Sequence, residues 1–503
     1  MAEKNTSDVG FEKQIWDAAC VLRGNLDASE YKSVVLGLVF LKYISDSFEA
    51  RRAELIAEGD GFEEDRDEYV AKKIFFVPKE ARWNVVAAAA HTEQIGQVID
   101  DAMRAVENDE ANVKRLKGIL PKNFSRDELD KRRLGDVVDL FTNVKITDHA
   151  AEKDLLGRTY EYCLSKFAEQ EGKLAGEFYT PSCVVRTLVE VLRPFDGRVY
   201  DPCCGSGGMF VQSAKFVENH GGNLNKVSVY GQDSNPTTWK MAKMNLAIRR
   251  IDADLGDYAA DTFFDDRHPT TKADYIMANP PFNLSDWGAD KLKDDPRWKF
   301  GLPPAGNANF AWLQHMIYHL SPRGRLGMVL ANGSLSSQTG GEGEIRRKII
   351  EADLVECIVA MPTQLFYTTQ IPVSLWFLGR QKKQKGKTLF VDARKLGTMV
   401  TRKLRELTEE DIRKIADAYD AYVDGNFEDV KGFSAVVTTE EIAKQDFILT
   451  PGRYVGIEER QDDGEPFDEK MKRLTSELGT LFDESRRLEA EIRKQLKGIG
   501  YEF

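Results

Sequence analysis

Residues 273–283 read ADYIMANPPFN, and the chemistry of the stretch lies in Asn279, Pro280, Pro281 and Phe282. Tyr275, Ile276 and Met277 form a short apolar run that predicts a buried strand. Two consecutive prolines lack the backbone donors that a central ladder needs, so the chain must leave the sheet at Asn279. Presented at the sheet's edge are then the amide oxygen of Asn279, a rigid carbonyl-rich turn at Pro280 and Pro281, and the π-face of Phe282. This set suits an exocyclic amine on a flat ring. The lone pair of such an amine is delocalised into the ring, and two acceptors on its hydrogens favour a pyramidal nitrogen whose lone pair can reach an electrophile. Catalysis of this kind is mostly positioning and needs no strong base.

A second candidate site is VYDPCCGSGGMF at 199–210. A strand ending at Asp201, a tight loop carrying Gly205, Ser206, Gly207 and Gly208, and an apolar helix from about Met209 let backbone N–H groups approach a ligand at the strand's C-terminal edge. Phe210 stands where the dinucleotide fingerprint G-x-G-x-x-G requires its third glycine, so that fingerprint is excluded. Asp233 ends the next strand, VSVYGQD, where an acid can accept hydrogen bonds from ribose hydroxyls. Asp261 and Thr262, in AADTFF, precede the strand leading to Asn279 and are expected to meet an adenine ring edge. Upstream, GEFYTP at 176–181 precedes an amphipathic helix with Val184, Val185, Leu188, Val191 and Leu192 on one side. There Phe178 and Tyr179 can wall a cationic ligand, and Thr180 can cap the helix.

The elements that must position these groups follow from the texture of the chain. Up to about residue 167 the pattern is helical; from about 176 to 392 short β-rich runs alternate with helical segments, which predicts a parallel or mixed sheet covered on both faces. The later strand runs come close together, so an antiparallel pair is expected at the far edge, with RQKKQKGK at 380–387 as a solvated turn between the last two strands. Beyond residue 392 the chain turns polar and helical. Near its end Met471, Leu474, Leu478, Leu481, Leu488 and Ile492 follow three- and four-residue steps with a polar break at Ser485, a heptad seam that needs a partner to bury it.

Among 503 residues, 42% hydrophobic and 30% charged, the longest early apolar run (34–41) is far too short for a membrane span, and the polar opening MAEKNTSDVGFEKQ predicts no signal peptide. Six cysteines without paired metal-ligand spacing point to free thiols, no metal site and a reducing, cytoplasmic setting. The net charge of −12 argues against a chain that grips nucleic acid alone over a broad surface. The basic clusters at 131–133, 346–348 and 380–387 are expected on solvated faces or loops.

In the order GEFYTP, DPCCGSGG, YGQD, ADT, NPPF, the chain resembles the amino-group DNA methyltransferases that act on adenine N6, and most closely the modification subunits of type I restriction-modification systems. LGLVFLKYISDSFE, DLLGRTYEYCLSKFA, NANFAWLQHMIYHLSPRGRLGMVLANGSL and TPGRYVG extend the resemblance over nearly the whole chain. The resemblance implies an α/β fold: a Rossmann-like S-adenosylmethionine-dependent methyltransferase domain with a mixed sheet at 168–395, an all-helical N-terminal domain at 1–167, a helical linker at 396–465 and a C-terminal docking helix at 466–503. It implies that Glu177, Phe178, Tyr179, Thr180, Pro181, Ser182, Asp201, Gly205, Ser206, Gly207, Gly208, Asp233, Asp261 and Thr262 hold S-adenosylmethionine. Asn279 and the Pro280 carbonyl, in the turn shared with Pro281, would orient the target amine while Phe282 stacks on its base. It further implies double-stranded DNA as substrate, a base flipped out of the stack, two such subunits on one specificity subunit, and a restriction subunit in the full complex. Cys203-Cys204 stands where small residues such as Ala are common in the family, and Asp233 where Glu is frequent. The turn by itself leaves open other planar substrates, cytosine N4 or a protein glutamine, and an inactive scaffold.

Overall fold

Strand runs that are apolar on both faces must be covered on both faces, and in this protein they assemble a nine-stranded mixed sheet. The computed structural model describes residues 28–143, 155–171, 180–366, 370–402, 404–457 and 467–498, together with Lys13, Trp16, Asp17, Cys20 and Leu22. The strands are β1 (Gly197–Asp201), β2 (Val227–Gly231), β3 (Ala253–Asp254), β4 (Ala273–Ala278), β5 (Leu320–Ala331), β6 (Val355–Ala360), β7 (Val373–Gly379) and β8 (Lys387–Asp392), then a small separate hairpin of β9 (Thr398–Met399) and β10 (Arg405–Glu406), and last β11 (Ser434–Thr438). The order in the large sheet is β11-β8-β6-β7-β5-β4-β1-β2-β3. From β5 to β3 all neighbours are parallel, so β4, β1 and β2 end along one edge.

Alternation along the strands divides the core in two. Val199, Val229, Met277 and Val329 face one cluster, whereas Tyr200, Ile276, Met328 and Trp376 face the other. The first cluster is shared with the N-terminal helices, among them Ala28–Glu58 and Leu155–Glu171, and Tyr160 of the latter donates to the Met241 carbonyl at 3.2 Å. The change of texture near residue 167 is thus a change of secondary structure and not of compact unit: residues 1–456 form one unit, and residues 457–503 a second.

Three expectations need correction. The antiparallel far edge exists, but β11 makes it by pairing with β8, so the stretch expected as a helical linker contributes a strand to the sheet. SAVVT is only five residues long amid polar sequence, and its strand identity depends on a partner more than forty residues away, which local pattern cannot reveal. Second, β7 is inserted antiparallel between β5 and β6, and β8 lies parallel to β6. The 380–386 loop therefore joins two strands that flank β6. Its Lys382 is buried, with Nζ 2.6 Å from Asp353 Oδ1, so the loop is not a simple solvated turn. Third, Arg346, expected in a solvated basic face, is fully buried; its guanidinium donates to the carbonyls of Phe447 (2.8 Å) and Ser337 (2.7 Å) and ties distant segments together.

The end of β2 sits directly on the helix Gly208–Asn219 that follows the glycine loop. A Cβ at Gly231 would meet Phe210 Cζ at 2.9 Å and Leu255 Cδ2 at 3.1 Å. Gly231→Val should therefore overpack this contact, lower the stability by about 1–3 kcal/mol and reduce the melting temperature in a thermal scan.

Candidate active site

The carboxyl ends of β1, β2 and β4 lie together where the strand order reverses, with β2 on one side of β1 and β4 on the other, the place where open α/β sheets bind ligands. Asp201 ends β1 and is buried beneath the glycine loop, its Oδ1 accepting from Cys203 N at 3.0 Å. The loop is latched to the tip of β2 by Cys204 N to the Gln232 carbonyl (3.0 Å) and Gly205 N to Asp233 Oδ2 (3.0 Å). Gly205 (φ 54) and Gly207 (φ 81) take left-handed conformations, and Gly207 caps the helix that begins at Gly208. A Cβ at Gly205 or Gly208 would meet nothing within 4 Å, so the loop keeps an open side for a ligand. The Ser206 carbonyl is held by Asn245 Nδ2 at 2.8 Å; Asn245 in turn takes a bond from Arg249, which pairs with Glu161 at 3.1 Å.

The expected adenine-side loop is organised differently from a set of free ligand groups. Asp261 is exposed, and its Oδ1 caps the backbone N–H of Phe263 at 2.8 Å. Thr262 is buried with its hydroxyl donating to the Pro202 carbonyl, which ties this loop to the glycine loop. Gln232, fully buried, donates to the carbonyls of Ala260 and Asp265, both at 3.2 Å, and accepts from Arg267 N.

Asn279 and Pro280 emerge from β4 beside Asp201's strand. Asn279 Nδ2 donates to Thr180 Oγ1 at 2.9 Å, and Asn279 Oδ1 is buried without a hydrogen-bond partner among the described residues. Thr180 does not cap the following helix: Ser182–Leu192 begins with Pro181 at its N-cap and no side-chain cap bond, because the hydroxyl is turned to Asn279. Pro181 is buried and Ser182 half-buried at that helix start. Glu177, Phe178 and Tyr179 lie outside the described residues. Phe282 is half-buried, with Phe366 edge-on to it at 5.7 Å. Immediately after Phe282, Asn283 turns the chain through a left-handed conformation (φ 51) and is gripped by Asn309, which accepts from its N–H at 3.2 Å and donates to its Oδ1 at 3.0 Å.

Sequence reasoning missed several supports. Arg297, buried in an irregular loop, donates to the carbonyls of Thr262 (3.0 Å) and Phe263 (2.6 Å), to Asp295 and to His315 Nδ1, so it joins the loop after Phe282 to the one holding Asp261. No periodicity marks a lone arginine in a loop. Phe366 gave no signal either, whereas NANF did stand in the sequence without an assigned role. Beneath these loops Asp266, His315 and His319 bring potential metal-ligand atoms within 4.8 Å of one another. Their atoms are already engaged: His315 with Tyr200 and Arg297, His319 with the Thr271 carbonyl and Asp266. Burial alone would raise the Asp266 carboxyl, but the hydrogen bond from His319 and the nearby rings take it down to about 2.

Burial pushes the Asp201 carboxyl up to about 8; the Cys203 N–H opposes the shift and the neighbouring Asp233 charge adds to it. The Cys203 and Cys204 thiols are pushed up by burial and by the same two acids, so they are poor nucleophiles.

The N-6 DNA methylase family model matches residues 151–463, and the HsdM N-terminal domain model matches residues 11–141. The HindI type I restriction enzyme methylase subunit of Haemophilus influenzae is 52% identical over 81% of this chain and 93% of its own length. The MjaIX methylase subunit of Methanocaldococcus jannaschii is 41% identical over 98% of this chain and 92% of its own. The crystal structure of a type I restriction-modification methyltransferase subunit from Streptococcus thermophilus superposes with a TM-score of 0.76 at 25% identity, covering 89% of this chain and 99% of the other.

The raised Asp201 carboxyl has a measurable effect on the ligand-free protein. The folded protein keeps this proton up to about pH 8 whereas the unfolded chain releases it near 3.8, so the contribution to stability is complete at low pH and is lost as pH rises between those values. Asp201→Asn keeps the acceptor for Cys203 N and removes the titration. Its melting temperature should fall less than that of the unaltered protein between about pH 5 and pH 8, as thermal scans across that range would show.

Proposed function

The chain belongs to the N-6 DNA methylase family, among the type I restriction enzyme methylase subunits, and from that premise we propose that it transfers a methyl group from S-adenosylmethionine to N6 of an adenine in double-stranded DNA, at sites chosen by a specificity subunit. The observation that carries this reading is the buried Asn279 Oδ1, an acceptor without a partner among the described residues, at the tip of β4 and next to the strand whose tip is Asp201. Leaving a buried amide oxygen unbonded costs about 1–3 kcal/mol, a cost that an amine donor arriving at the site would offset.

Asn279 Oδ1 and the Pro280 carbonyl accept from the two N6 hydrogens and aim the nitrogen lone pair, Pro281 stiffens the turn, and Phe282 stacks on the base. A base inside a duplex is out of reach of this turn, so the adenine is flipped out, at about a few kcal/mol of lost stacking and pairing that the pocket recovers. The loop of Gly205, Ser206, Gly207 and Gly208, open at Gly205 and Gly208 and with Asp201 behind it, fits the methionine part of the cofactor. Asp233 and Asp261 serve its ribose and adenine, Thr262 fixes the latter's loop, and Glu177 to Ser182 close the site. When bound, S-adenosylmethionine supplies a methyl group activated by the sulfonium charge. Burial keeps the Asp201 carboxyl protonated up to about pH 8 in the ligand-free protein, and a cationic group brought beside it would favour its ionised form.

The net charge of −12 supports a division of labour in which another chain supplies much of the grip on DNA and the choice of sequence. Two methylase subunits then share one specificity subunit, and a restriction subunit joins the full complex in the cytoplasm. Among the described residues no helix is long and apolar enough to cross a membrane. The helix Phe467–Gly498 buries none of its residues, and Met471, Leu474, Leu478, Leu481, Leu488 and Ile492 stand 43–61% exposed along it. An apolar seam of this length on a solvated helix is best covered by another helix, and the specificity subunit is its partner in this reading.

With DNA, labelled cofactor and the specificity subunit, the protein should yield N6-methyladenine on nucleoside digestion; label in cytosine or in protein would refute the reading. Asn279→Ala should abolish transfer while cofactor binding, measured by calorimetry, stays near normal. Truncation after Gly456 should leave the body's melting temperature in place and abolish co-elution with the specificity subunit; undiminished co-elution would rule out docking through the helix.

A further inference from the structure

A terminal amide has two nearly isosteric orientations, related by a half turn about its last torsion, that exchange an acceptor for a pair of donors. For Asn279 the distinction is decisive under the function proposed above, because a nitrogen turned toward the target amine would oppose donor to donor. On the side of Oδ1 no partner is present among the described residues to select the orientation. On the other side there is one: Nδ2 donates to Thr180 Oγ1 at 2.9 Å, across 99 residues of sequence. The hydroxyl is spared the ordinary work of its position, since the helix after it starts at Pro181 with no side-chain cap. Pro181 is buried at the helix start, and the helix is packed on its buried face by Val184, Val185 and Leu188, so the hydroxyl is carried on a fixed element.

We propose that Thr180 is a positioning residue for methyl transfer, its hydroxyl oxygen accepting from Asn279 Nδ2 and so holding Asn279 Oδ1 toward the target amine. The inference rests on the reading of Asn279 as the amine's acceptor, and it gives Thr180 a task on the substrate side in place of the cofactor-side task implied by its motif. A hydroxyl is required and a methyl is not, so serine can substitute and valine, of nearly the same shape, cannot.

The test uses the full chain assembled with its specificity subunit, measured by single-turnover methylation at saturating DNA and cofactor, and by calorimetric binding of S-adenosylhomocysteine without DNA. Thr180→Val should slow transfer by about tenfold to a hundredfold, the cost of a mispositioned acceptor, with S-adenosylhomocysteine affinity and the KM for cofactor near those of the unaltered protein. Thr180→Ser should restore most of the rate. Thr180→Ala, which adds no methyl group to the packing, should reproduce the valine result if the valine variant melts early. Transfer by Thr180→Val at the unaltered rate overturns the proposal; so does a loss that excess cofactor cures, which would return the hydroxyl to the cofactor. An unaltered complex that leaves adenine unmethylated overturns instead the function on which the proposal rests, and the two failures are therefore distinct.

Discussion

The pairing of β1 with β4, parallel and in direct hydrogen-bonded contact, is the constraint on which the site depends. Because both strands run the same way, their carboxyl ends emerge together, and two segments 78 residues apart, Asp201 and Asn279, meet at one edge of the sheet. Parallel pairing forces the intervening chain to cross over through helices, which is why the glycine loop, the second acid and the Asp261 loop all return to that same edge. No local property of the Asn-Pro-Pro-Phe turn could place it beside the glycine loop.

Around this pairing the loops are fixed by buried polar groups, each satisfying backbone atoms that would otherwise lose their bonds on leaving water. Gln232 holds the 260–267 loop from below, Thr262 ties it to Pro202, and Arg297 joins it to the loop after Phe282. Asn309 secures the turn at Asn283. A planar guanidinium suits the Arg297 position because several donors in a fixed fork can serve two carbonyls, a carboxylate and an imidazole at once. The buried acid Asp201 is the exception: burial holds its carboxyl in the neutral form up to about pH 8, with the Cys203 N–H donating to it.

The two compact units differ in how they are stabilised. Residues 1–456 share buried clusters on both faces of the sheet, whereas the helix Phe467–Gly498 has no buried residue and relies on ion pairs along its surface, such as Arg487 with Glu484 and Glu491. Such solvent-screened pairs contribute little to stability, and the helix has no buried apolar side chain to add to them.

The sequence by itself determined the fold class, the helical start, the strands β1, β2 and β4, and the residues most exposed to chemical reading, because apolar period, glycine and proline punctuation, and strand-end acids are all local signals. It did not reveal β11, the insertion of β7, the burial of Arg346 and Lys382, or the supports Gln232, Arg297 and Phe366. Each of these acquires its role from a partner distant in the chain. Thr180 marks the boundary most clearly: its motif named it as a candidate, and its neighbours in sequence offered it a helix to cap. Only the tertiary structure brought Asn279 within 2.9 Å, and a hydroxyl's task is set by the nearest group that needs a hydrogen bond.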